Sequence, residues 1–253
     1  MISINMNLTS QMLIRDFISN PVLEPYPFEE VEYAGFDVVI SRKVPYKKAT
    51  ALWRAARAKA GDDYWPLLTQ DDIIHEYSET VIPPPPMSLE LVRAARKRSV
   101  RASEELNTAF RGIDTATPLE EPYAERDAFI EDPAGQVSAV KPISLIVFPL
   151  PMLDALAPFS TNGVGSTPTA GQLLTMLRHF QRQYGAEPIY ADSDMWELEI
   201  KHPPQGIEPL RAAARDMFLI SRGRREGYGI EDPARLLRRL MNRRWVLWWY
   251  GTY

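Results

Sequence analysis

The chain has 253 residues, no cysteine and a formal net charge of −4 at neutral pH. That length supports one large domain or two small ones, with a core that needs no covalent staples. The absence of thiols excludes disulfides, thiolate metal sites and a cysteine nucleophile, and suits a reducing compartment.

No basic stretch precedes an apolar segment at the N-terminus, so a secretory signal is not expected. The longest apolar run, 143–150, is half the length of a membrane span and contains Pro149. The expectation is a soluble, cytoplasmic protein without membrane association. Charge is unevenly distributed: residues 1–150 carry 16 Lys/Arg against 22 Asp/Glu, and residues 151–253 carry 13 against 11. The acidic N-terminal part argues against nucleic acid as its partner.

Ser10 is placed to cap a short helix through Phe17, and Pro21, Pro25 and Pro27 then predict an extended, turn-rich passage. The β-branched run 36–40 (FDVVI) predicts a buried strand. Pro45 can start a helix over 46–60 with Ala49, Leu52, Trp53 and Ala56 on one face and Gly61 ending it. A second short strand is expected at 64–68, where Pro66 marks a sheet edge or a strand end. Asp71 and Asp72 favour the start of a short helix.

Four consecutive prolines, Pro83 to Pro86, form a stiff spacer and the clearest boundary in the chain. A long helix is expected over 88–110, closed by Gly112 and carrying five cations in the nine residues from Arg93 to Arg101. Residues 114–132 then hold seven acids against the single Arg126, which predicts an acidic, irregular connection. A hydrophobic strand is expected over 144–150 and a loop over 160–165.

The stretch 171–200 is the most legible part. Leu173, Leu174, Leu177, Phe180, Gln181 and Tyr184 recur at helical spacing, and Gly185 stands where a left-handed cap is expected. Trp196, Leu198 and Ile200 alternate with Met195, Glu197 and Glu199, which predicts a strand with one buried face. Pro203-Pro204 stops it. A helix is expected over 208–220 with Leu210, Ala213, Ala214, Met217 and Phe218 inward, another from Asp232-Pro233, and a final core strand over 244–250. The sum is an α+β protein with a mixed β-sheet flanked by helices. Its parts are an N-terminal α/β part (1–82), a long helix with its acidic connection (83–142) and a C-terminal α/β part (143–253), expected to form one compact unit.

Several residues of the last part, His179-Phe180, Tyr184-Gly185-Ala186-Glu187, Glu197-Leu198, Pro203-Pro204 and Trp248-Trp249, resemble the bacterial domain-of-unknown-function family 4253. Trp65-Pro66-Leu67-Leu68 resembles an earlier strand of that family. The resemblance implies a fold and a bacterial source; the family has no assigned chemistry, so no catalytic residue carries over.

No nucleophile elbow, P-loop or dinucleotide fingerprint is present, and His75, His179 and His202 lack metal-ligand spacing. His179 is a candidate general base, against the plainer reading of a surface or capping histidine. Asp192, Asp194, Glu197 and Glu199 are a candidate oxygen-ligand set for Mg²⁺ or Ca²⁺; the plainer reading is a turn followed by a solvated strand face. Gly163 to Gly165 resembles a phosphate-cradling loop in composition alone and precedes a helix; the plainer and preferred reading is a flexible connector. The C-terminal arginines, including Arg235, Arg238, Arg239, Arg243 and Arg244, would serve nucleic-acid binding if gathered on one face beside free aromatics; the plainer and preferred reading is a solvated face. The carboxylates Glu120, Glu121, Glu125, Asp127, Glu131 and Asp132 are candidates for meeting a basic protein partner, against the reading of a solvated loop.

Two functions follow. One is a non-enzymatic protein-binding module without a cofactor, of the immunity or antitoxin kind, occluding a toxic effector's active site. The other is an enzyme or a small-ligand or metal-binding protein with a pocket near 163–165 and 192–199.

Overall fold

The computed structural model describes residues 13–17, 19–33, 36–70, 143–156, 159, 170–192, 195–220 and 240–248. Its seven strands make a mixed sheet accompanied by helices, so the fold class is α+β. The chain divides into two compact units, which are taken in turn.

In the first unit the strand order is β1 (Glu29–Tyr33), β2 (Phe36–Val44), β4 (Ile143–Phe148), β3 (Trp65–Gln70) and β5 (Glu187–Ala191), of which Ile189–Ala191 belong here. The first three neighbouring pairs are antiparallel, and β3 runs parallel to β5 with Leu68 opposite Tyr190. All six residues of β4 are buried, which accounts for a run that is apolar except at Ser144: it has a strand on each side and cover on each face. β4 pairs with the N-terminal strands β2 and β3.

β2 runs four residues past the expected end, through an irregularity between Ser41 and Val44 where Lys43 has φ 55°. A bulge accommodates one extra residue by such a local distortion. Residues 13–17 are helical, as expected of that segment. β1 lies inside the passage expected to be turn-rich; turns occupy 21–25, and pairing with β2 draws 29–33 into the sheet.

After a 3-10 turn at Tyr46–Lys48, α1 (Ala49–Ala60) buries Ala49, Leu52, Trp53, Ala56 and Ala60, the expected face. Gly61 ends it at φ 65°, ψ −153°, a region that a residue with a Cβ enters only under strain. The buried Trp53 Nε1 donates to the Pro66 carbonyl at 2.9 Å, tying α1 to β3. Arg57 lies 4.2 Å over the Trp65 ring. Pro66 is the second residue of a strand that has neighbours on both sides, so of the two expected positions the strand end is the one it occupies.

The second unit contains α3 (Ala170–Tyr184), β6 (Met195–Glu199), α4 (Ile207–Ile220) and β7 (Arg244–Trp248). Another helix, α2 (Met152–Ala155), precedes them in the chain and belongs to the first unit. On α3, Leu173, Leu174, Met176, Leu177, Phe180 and Tyr184 are buried. Gln181, expected on that face, is exposed, whereas Met176 is inside. Burying a large apolar side chain stabilises by about 1.5–3 kcal/mol, several times the spread in helix propensity, so packing and not propensity holds this helix.

Gly185 has φ 63° and donates to Gln181 O at 3.0 Å, the left-handed cap expected from the sequence. His202 N–H donates to the Tyr184 carbonyl at 2.9 Å, satisfying one more group at the helix end. β6 and β7 are antiparallel, with Trp196 opposite Leu247 and Leu198 opposite Trp245. Trp245 meets the rings of Phe180 and Tyr184 edge-on, at 5.5 and 4.8 Å.

β6 corrects one expectation: Met195 and Glu197 are buried along with Trp196 and Leu198, so both faces are covered. In α4, Leu210, Ala213 and Met217 are buried and Ala214 is partly exposed; the Phe218 side chain lies outside the described residues. Pro209 falls in the first turn of α4, where its missing N–H costs no helical bond. The segments 71–142, 160–165 and 221–239, and with them the expected long helix and the Asp232-Pro233 helix start, lie outside the described residues. Among the described residues no helix is long and apolar enough to cross a membrane.

Candidate functional site

The register of β1 on β2 sorts the side chains of this ribbon by chemistry. Directly opposed residues share a face, so Val31 with Val38, and Tyr33 with Phe36, form the apolar side. Tyr33 is 4% exposed there and packs edge-on against Phe148 at 5.9 Å. Glu29 belongs to that side as well and is neutralised by Arg42 at 2.8 Å.

The other side carries Glu30 opposite Val39 and Glu32 opposite Asp37. Glu30 and Glu32 are exposed and Asp37 is partly so. Like charges directly across a ladder are destabilising, so this face costs the fold some stability. Among the described strands β1 has one neighbour, β2, which leaves these carboxylates at the rim of the sheet.

A second polar arrangement joins α3 to α4. His179 Nε2 lies 2.8 Å from Asp216 Oδ2, with the side chains 39% and 20% exposed. Tyr184 follows on α3, and burial, with the Asp216 charge second, pushes its phenol above the usual value of 10.0. A carboxylate holding an imidazole fixes its orientation, which serves structure and acid–base chemistry equally.

The predicted carboxylates do not behave as one group. Asp192 is 8% exposed and accepts from the Tyr190 hydroxyl at 3.1 Å. Asp194 lies outside the described residues. Glu197 and Glu199 share one face of β6, and Arg244 stands directly opposite Glu199 on β7.

Glu197 is 1% exposed and Arg244 5%, so the face read as solvated is in fact an interior one carrying opposite charges. Burying charge is costly unless paired; Arg244 stands directly across from Glu199, while the residue directly across from Glu197 is Val246. Among the described residues no group of three or more His, Asp or Glu is arranged to hold a metal ion. Glu120, Glu121, Glu125, Asp127, Glu131 and Asp132, as well as Gly163 to Gly165, lie outside the described residues.

Sequence reasoning missed Glu30, Glu32 and Asp37, Asp216 as the partner of His179, and Arg244 as the residue facing Glu199. The first group had a readable signal: in EEVEY, Val31 and Tyr33 alternate with glutamates at the period of a strand. The other two pairings depend on which elements pack together, which spacing along the chain does not state.

No curated protein and no solved structure is significantly similar to the chain. Residues 150–250, which hold α2, α3, α4, β5, β6 and β7, match the model of a family described as a domain of unknown function, DUF4253.

Proposed function

We propose that this is a protein-binding module that captures a basic protein partner, as a bacterial, cytoplasmic immunity or antitoxin protein captures an effector and occludes its active site. The observation that carries the reading is the acidic face of the β1–β2 ribbon, with Glu32 opposite Asp37 and Glu30 beside them. A positively charged partner relieves a like-charge pairing that weakens the free fold, and clustered carboxylates accelerate encounter with such a partner. The seven acids within 114–132 add to the same sign of charge.

Affinity capture of the tagged full chain from its native host tests this. The expected result is one stoichiometric basic protein whose affinity falls as salt rises and falls again in E30Q/E32Q. Joint neutralisation of Glu120, Glu121, Glu125 and Asp127 separates the contribution of that segment. Affinity and salt dependence that stay the same in both variants would overturn the proposed surface.

A second reading, a small-ligand or metal-binding protein, is favoured by Glu197, a carboxylate withdrawn from water within the second unit. Ionisable groups held in such surroundings are concentrated at functional sites. A thermal-shift screen with divalent cations and nucleotides discriminates, because a ligand that selects the native state must raise its melting temperature.

A further inference from the structure

We draw no further inference here: the strongest candidate, the half-buried His179–Asp216 pair between α3 and α4, has no second observation among the described residues that points to a ligand or substrate.

Discussion

His179 Nε2 and Asp216 Oδ2 stand 2.8 Å apart and join two helices whose contacting residues are 37 positions apart in the chain. With side-chain exposures of 39% and 20%, water competes for both groups, so the pair contributes less than about 1 kcal/mol. A double-mutant cycle of H179Q and D216N in urea should return a coupling energy of that size. Zero coupling would show that the two helices are held by their apolar faces alone.

Tyr184 offers a pH test of the same region. Burial raises its pKa above 10.0 and the Asp216 charge adds to the rise, so the folded state keeps the phenolic proton at a pH where the unfolded chain loses it. The folded state then binds more protons, and stability must fall as pH rises above about 10, where the unfolded chain begins to ionise, and on through the raised folded value. Alkaline denaturation should be shallower in Y184F. In D216N the Tyr184 phenolate, followed by its ultraviolet absorbance, should titrate at lower pH than in the parent; an unchanged midpoint would remove Asp216 as a cause.

Replacing Glu32 with glutamine removes a like-charge pair, since Asp37 is its direct cross-strand partner. The expected outcome is a gain of about 0.2–1 kcal/mol in stability, larger at low salt than at high salt. Combined with weaker partner capture, that gain would mark a residue kept for binding at the expense of the fold. A loss of stability in E32Q would mean that the carboxylate makes a favourable contact.

Gly185 is constrained twice. Its φ of 63° disfavours any L side chain, and an added Cβ would lie 2.9 Å from Lys201 Cβ. Gly185→Ala should cost at least the 1–2 kcal/mol expected for a left-handed residue with a Cβ, roughly speaking, plus the displacement of the Lys201 segment. Gly61, also at positive φ but at ψ −153°, has nothing within 4 Å of its would-be Cβ, so its loss reports backbone strain without a clash, in a region more restrictive than the left-handed one. A loss in G185A no larger than about 1–2 kcal/mol would show that the Lys201 contact relaxes freely.

Trp53→Phe keeps most of the buried ring and removes the donor to the Pro66 carbonyl. Leaving a buried acceptor unsatisfied costs about 1–3 kcal/mol, to which the smaller ring adds a packing loss. Chemical denaturation should show a lower midpoint without loss of the cooperative transition.

The legible parts of this chain are those whose signal is local. The α1 face of Ala49, Leu52, Trp53 and Ala56 appears as expected, and so do the Gly61 and Gly185 helix ends and the buried run of β4. Each reflects a periodicity or a conformational preference confined to a few neighbouring residues. β1 escaped because three glutamates in five residues suppress the apolar signal of an edge strand, where only one side needs burial. Spacing predicts Gln181 inward, but the buried arc of α3 is centred on Leu173, Leu177 and Phe180, and Met176 completes it.

The site was less legible than the fold for the same physical reason. Composition and local pattern alone determined an α+β protein without thiol chemistry and with an acidic N-terminal part; likeness to a known family, separately, marked the C-terminal part. Tertiary pairing decided that Glu32 confronts Asp37, that Asp216 holds His179, and that Glu197 is an interior carboxylate on the face where Arg244 stands opposite Glu199. Whether a charge is solvated, paired or opposed depends on strand register and helix packing. These bring His179 to Asp216 and Glu199 to Arg244 across long stretches of chain and set Glu32 against Asp37 over a short one. Register and packing are set by burial of the whole apolar surface, and the charged residues themselves carry no local mark of the outcome.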